Sequence, residues 1–305
     1  MKIESFRGVI PALTTPFHAD LSLDPEGLAV LVDTVIKDGV DSVLVNGCTG
    51  ESWTLTDDER AIAFRTTVEA AKGRVTVMAG CSAISTSDTI HKIHQAAKAG
   101  CDYAMVSPPW YVIPGPEEIM DHYATVLEAS ELPVVVYNIP RRCGVNITPD
   151  MIDRLADHPK VVAIKESSKD WGVLSETIRR TRDRISVFAG YASYFGLAAI
   201  TEGAVGYIDS ATPVFGSRSA DFYRAASTGD LETARHIQTE MAAMLGAFFG
   251  LGTFPSAVKA ALDLLGRPGG PTRPPIRSLN AAQKETLRKA LVRANVLPAE
   301  RAAAE

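Results

Sequence analysis

Cysteine is scarce in this 305-residue chain, and Cys48, Cys81, Cys101 and Cys143 lack the spacing of a metal knuckle or a redox pair. No disulfide framework follows, and a reduced, cytoplasmic setting is the expectation. Long apolar runs are missing too. The longest are strand-length and interrupted by charges, short of the ~20 residues that a membrane span requires. The net charge of −5 is spread along the chain without like-charge blocks, so neither nucleic acid nor a membrane is an expected partner. Residues 1–7 show no apolar signal region and are expected to lead directly into a strand. Histidine is scattered: His18, His122, His158 and His236 stand apart, and His91 and His94, one turn apart on a helix, read as surface residues. No metal site is expected from them. A glycine-rich dinucleotide fingerprint after the first strand-like run is also lacking.

What is present is one repeated unit, a short apolar run followed by a loop and a helical pattern. The chain is 46% hydrophobic, enough for a full core in one large α/β domain with an appendage. Strands are expected over residues 9–14, 42–45, 75–79, 103–106, 134–137, 161–165, 186–189 and 205–208. Helices are expected over 25–37, 57–71, 87–99, 116–129, 149–156, 171–181, 194–201 and 218–226. Strands each followed by a helix imply a parallel sheet covered on both faces. Eight such units across residues 1–228 predict a (β/α)8 TIM barrel carrying the active site rather than an open doubly wound sheet. Beyond that, 231–249, 255–265 and 281–296 read as helices of a C-terminal extension, residues 229–305, with a Pro/Gly-rich loop at 266–271. Residues 243–249 are apolar enough to pack on the barrel or on a partner subunit, and 302–305 are expected to fray.

Lys165 stands where a charge is unexpected, closing the run Val161-Val162-Ala163-Ile164-Lys165. At the end of a buried strand, desolvation disfavours the ammonium and exposes a nucleophilic amine near neutral pH. The run Pro133-Val134-Val135-Val136-Tyr137 ends one unit earlier with a phenol. Neighbouring strands with both side chains inward would set phenol beside amine, the minimum for Schiff-base chemistry. A lysine taken alone reads first as one snorkelling out at a strand end, and it is the company of the other strand-end residues that reverses this.

In a barrel, active sites form at the carboxyl ends of the strands. Gly47-Cys48-Thr49-Gly50-Glu51, Ser107-Pro108-Pro109-Trp110-Tyr111 and Gly190-Tyr191 fall there with Lys165 and Tyr137. The first is either an anion-binding nest for a carboxylate, with the Thr49 hydroxyl, or an ordinary strand-to-helix turn. Arg142 reads as a bidentate carboxylate holder or as a solvated surface residue beside Arg141. Tyr111 either relays protons or packs under its loop; Trp110 reads as packing or interface, and Cys48 as a small buried thiol.

Gly-x-Thr-Gly-Glu at 47–51, Tyr-Asn-x-Pro at 137–140 and Ile-Lys-Glu-x-Ser at 164–168, in this order and separation, carry a resemblance across nearly the whole chain. The sequence resembles the dihydrodipicolinate synthase/N-acetylneuraminate lyase family of class I, pyruvate-dependent lyases. The resemblance implies that Lys165 forms an imine with a 2-oxo acid, usually pyruvate, and that no cofactor is needed. It implies Tyr137 as general acid and base, Thr49 and neighbouring amides as carboxylate holders, and Gly190 and Ile208 as backbone lining of the pocket. Tyr111 is similar to a tyrosine that reaches across a tight dimer, so a homotetramer built as a dimer of dimers is the implied assembly. Arg142 matches an arginine that binds the carboxylate of an aldehyde acceptor, favouring a synthase-like condensation. Three departures bear on that: Cys48 replaces a relay threonine, Trp110 a tyrosine, and Asp209 a small polar residue. A catabolic sibling is the alternative, such as an N-acetylneuraminate lyase, a 2-keto-3-deoxy sugar acid aldolase or dehydratase, or a hydroxyproline-pathway deaminase. A non-catalytic barrel that binds 2-oxo acids is the remote one.

Overall fold

A computed structural model of the chain describes residues 6–298, so the expectations for residues 1–5 and for the tail at 302–305 lie outside the described residues. The strands are β1 (Gly8–Pro11), β2 (Ser42–Val45), β3 (Thr76–Gly80), β4 (Tyr103–Val106), β5 (Val134–Asn138), β6 (Val161–Glu166), β7 (Ser186–Ala189) and β8 (Gly206–Asp209). They form one eight-stranded sheet in the order β1-β8-β7-β6-β5-β4-β3-β2. Every pairing is parallel. An isolated parallel bridge between Ala12 and Leu44 brings the two edges together, making a nearly closed TIM barrel.

Strand alternation explains why the short apolar runs suffice. Ile10, Leu44, Met78, Met105, Val135, Ala163, Phe188 and Ile208, one from each strand, point inward and fill the barrel. Val9, Val43, Val77, Ala104, Val136, Val187 and Tyr207 face the surrounding helices. Phe6 stacks on Tyr103 with ring centroids 4.1 Å apart, within that inner core. Tyr137 and Lys165 lie two residues beyond Val135 and Ala163, so the pleat directs them inward one layer above the packed core.

Helices Pro25–Lys37, Asp57–Ala71, Pro116–Ala129 and Trp171–Thr181 have the expected bounds. Their starts follow local chemistry: Thr56 and Glu59 form a reciprocal capping box, and the Asp170 carboxylate accepts from the amides of Gly172 and Val173. Two short helices, Pro140–Cys143 and Thr212–Phe215, were not foreseen; four residues are too few to show a period. The first strand stops at Pro11 rather than residue 14, because the chain turns there to pair with β2 through Leu13.

Gly229, with φ +84, ends the last barrel helix. The extension consists of Leu231–Gly250, Phe254–Leu264 and Ala281–Arg293. Its first helix packs against Ala192–Glu202 and Arg218–Thr228, so Met244, Leu245 and Phe248 are buried within the chain itself. Among the described residues no single helix is long and apolar enough to cross a membrane; Leu231–Gly250 and Phe254–Leu264 meet that test only as a pair bent by 119°.

Candidate active site

Tyr137 on β5 and Lys165 on β6 are register partners. Both are buried, with 7% and 5% of their surfaces exposed. The Lys165 ammonium lies 4.4 Å from the centre of the Tyr137 ring. Burial lowers the Lys165 pKa to about 8, against smaller opposing effects of Asp209 and Cys48. Burial raises the Tyr137 phenol well above its usual range, and the nearby Cys48 and Tyr191 act in the same direction. The phenol therefore rests protonated beside an amine that is partly free at neutral pH.

The next residue on each strand holds the pair in place. Asn138 donates to the Glu166 carboxylate at 3.0 Å and to the Ile147 carbonyl at 3.3 Å, and its own carbonyl accepts from the Ile147 amide. Glu166 also accepts from the Ser168 amide at 2.5 Å. Tyr-Asn and Lys-Glu thus share one logic: the inner residue lines the cavity and the outer one ties its strand end to a neighbour. Gly190 follows from close approach, since a Cβ there would sit 1.7 Å from Ser167 Oγ and 2.7 Å from the Glu166 carbonyl. Ser167 Oγ is buried without a full hydrogen bond and faces the Tyr137 phenol, whose ionised form it favours. Ser167 was missed in the sequence, where nothing separates it from its serine neighbour.

Thr49 donates to the Ser210 hydroxyl at 2.7 Å, joining the loops after β2 and β8, and both residues line the cavity around Lys165. The turn spends two of its amides internally, Gly50 on the Gly47 carbonyl and Glu51 on that of Cys48. Among the described hydrogen bonds none uses the amides of Cys48 and Thr49, so the nest is smaller than the motif suggests. Glu51, in left-handed backbone at φ +51, turns its carboxylate away into full burial. There it meets Lys259 at 2.6 Å and the Arg273 amide at 3.0 Å, both from the C-terminal extension.

Other expected residues are distributed differently. Arg142 is exposed on the short helix Pro140–Cys143 and lines both the cavity around Lys165 and the wider neighbouring one. Cys48 is half-buried rather than buried and lines both this cavity and a wider neighbouring one. Gly47 and Trp110 belong to the neighbouring cavity. Ile208 faces the barrel core below; Asp209 and Ser210 take its place in the lining. Asp209 accepts from the amides of Ala211 and Ala192, bracing the loops after β7 and β8, and burial raises its carboxyl pKa. Tyr111 is 86% exposed, at φ +76, and stands outside the cavity around Lys165. His91 and His94 are exposed and face Asp57 and Glu131. The extension also contributes to the site through Leu245, Phe249 and Phe254, so the lining is not confined to the barrel.

Comparison with known proteins finds one family over nearly the whole chain. The model of the dihydrodipicolinate synthetase family matches residues 5–294. A 4-hydroxy-tetrahydrodipicolinate synthase of Methanoculleus marisnigri is 38% identical over 290 residues, covering 94% of this chain and 99% of the relative. Dihydrodipicolinate synthase from Aquifex aeolicus superposes with a TM-score of 0.90 at 33% identity, covering 95% of this chain and 99% of that one. A prophage protein of the dihydrodipicolinic acid synthase family from E. coli K12, in complex with pyruvate, gives 0.90 at 27% identity, covering 96% of this chain and 99% of that one.

Proposed function

The chain belongs to the dihydrodipicolinate synthetase family and is a lyase most like 4-hydroxy-tetrahydrodipicolinate synthase; on that premise we propose that it binds pyruvate as an imine at Lys165. The observation that carries this reading is the buried, register-paired Tyr137 and Lys165, with the amine pKa lowered to about 8. At pH 7.5 about a quarter of such amines are free, roughly 200-fold more than for an ordinary lysine. The free amine attacks the keto carbon to give a carbinolamine. Tyr137, kept protonated by burial, donates a proton to the departing hydroxyl, and water leaves. The iminium charge then stabilises the phenolate, which takes a proton from the methyl carbon to form the enamine. The enamine carbon adds to the aldehyde of an acceptor. Thr49, Ser210 and the free amides of the turn hold the 2-oxo acid carboxylate, and Arg142 at the mouth holds a carboxylate of the acceptor. The chemistry uses no cofactor.

A synthase-like condensation is the reading favoured by Arg142. Cys48 favours a catabolic sibling instead, because a thiol on the cavity wall is a poor replacement for a proton-relaying hydroxyl. Exposed Tyr111, Val112 and Ile113 form an apolar projection that suits a neighbouring subunit, in keeping with a dimer of dimers in the cytoplasm. Intact-mass analysis after borohydride treatment, with and without pyruvate, followed by peptide mapping, tests the imine. A pyruvate-sized adduct on Lys165, absent in Lys165→Ala, is expected. An adduct elsewhere, or none with any 2-oxo acid, refutes it and puts a binding protein ahead.

A further inference from the structure

Asp209 stands where the resemblance implies a small polar residue, and it is the one acid among the residues lining the Lys165 cavity. It is 3% exposed. A buried carboxylate is costly unless donors meet it. Two amides do so here: that of Ala211 at 2.5 Å, and that of Ala192, the first residue of the helix Ala192–Glu202. Tyr191, at the cap of that helix, supplies no side-chain acceptor, so Asp209 fills the role from the end of β8. A turn and a helix start thus fix the acid on the cavity wall.

Its placement separates two states of Lys165. Tyr137 flanks the lysine from β5, whereas Asp209 approaches from β8, on the other side of β6 in the sheet. Among the described residues no ion pair joins Lys165 to Asp209, so the amine stays open to a keto carbon. Charge still reaches across the cavity. Asp209 favours the Lys165 ammonium and Lys165 favours the ionised Asp209, each against the larger effect of burial. Tyr191 and Tyr207 also face Asp209, whose charge helps to keep both phenols protonated. Arg141 and Arg142, the other cations of the lining, are exposed and screened by solvent. An imine of a primary amine draws electrons from its substrate only while its nitrogen carries a proton, and burial works against that charge. A fixed anion on the same wall offsets the effect, and does so strongly in a low dielectric.

We propose that Asp209 is a positioning residue of the reaction, the fixed counter-charge that keeps the imine nitrogen at Lys165 protonated. The inference rests on the imine reading and adds the group that holds the intermediate in its reactive form. Asp209 acts through the Lys165 nitrogen and touches neither the keto carbon nor its carboxylate.

The test uses Asp209→Asn, which deletes the charge and keeps a carbonyl oxygen for the Ala211 amide. Cyanoborohydride reduces the protonated imine, so its rate of trapping at Lys165, with pyruvate subsaturating and reductant limiting, reads the amount of that species. At pH 6 the lysine is an ammonium with or without Asp209, charge is conserved on forming the iminium, and the variant should match the unsubstituted protein within about twofold. At pH 9 the lysine is mostly a free amine, and the proton must be taken up beside the missing charge. A loss of about tenfold is expected there, the scale of a one-unit fall in the lysine pKa. Comparing the two pH values cancels any effect that does not depend on pH, such as a loosened loop or an altered contact with the pyruvate carboxylate. An equal loss at both values, or none at pH 9, overturns the counter-charge and leaves the imine standing. Asp209→Ser, with the small polar residue that the resemblance implies, should show the same dependence and decides the matter where the asparagine variant does not fold. Absence of an adduct with any 2-oxo acid in the unsubstituted protein refutes the imine reading itself, and this inference with it.

Discussion

Replacing Lys259 by methionine would show how far the extension supports the site. Lys259 and Glu51 are 1% and 0% exposed, and their 2.6 Å contact joins the C-terminal extension to the loop that presents Thr49. The ammonium also donates to the Pro271 carbonyl at 2.6 Å and lies 4.1 Å from the centre of the Phe17 ring. Methionine preserves the volume and deletes the charge, leaving the Glu51 carboxylate buried with the Arg273 amide still donating to it at 3.0 Å. Removing one partner of a buried pair typically costs about 3–5 kcal/mol. The surviving amide bond places this case near the lower end, about 3 kcal/mol. The loss is read by urea unfolding at fixed protein concentration, followed by circular dichroism. Glu51→Gln in the Lys259→Met background removes the stranded charge, and recovery of about half the loss is expected. Because Glu51 lies two residues from Thr49, half-saturation for pyruvate trapping should rise in the single variant and partly recover in the double. A single-variant loss below about 1 kcal/mol, or a double variant no more stable than the single, would refute the reasoning.

Two further outcomes follow from the paired strands. Since burial brings Lys165 to about 8, the initial rate of pyruvate imine formation should rise about tenfold per pH unit below that value and level off above it. A rate still climbing toward pH 10 would mean that the lysine titrates as an exposed one. Tyr137→Phe keeps the ring beneath the Lys165 ammonium while deleting the hydroxyl, so fold and adduct should persist with turnover down about 10²–10⁴-fold. A near-normal turnover number in that variant would remove Tyr137 from proton transfer.

Much of the architecture was legible because it repeats. Eight apolar runs alternating with helical patterns demand a covered parallel sheet, and a long helix such as Pro25–Lys37 announces its bounds through a proline start and a glycine stop. Helices of four residues, such as Pro140–Cys143, have no period to read. Where a strand end bends away, as at Pro11, composition alone does not show which partner the chain will meet.

The sequence by itself determined which groups stand at the strand ends: Lys165 and Tyr137 each close an apolar run, and strand alternation makes their inward direction a local property. Only the tertiary structure decided what surrounds them. Thr49 meets Ser210 across 161 positions, Glu51 meets Lys259 across 208, and Phe249 of the extension lines the cavity around Lys165. Local periodicity reports a residue's own element and face, whereas burial of charge, pairing of ions and closure of a cavity depend on elements brought together by folding.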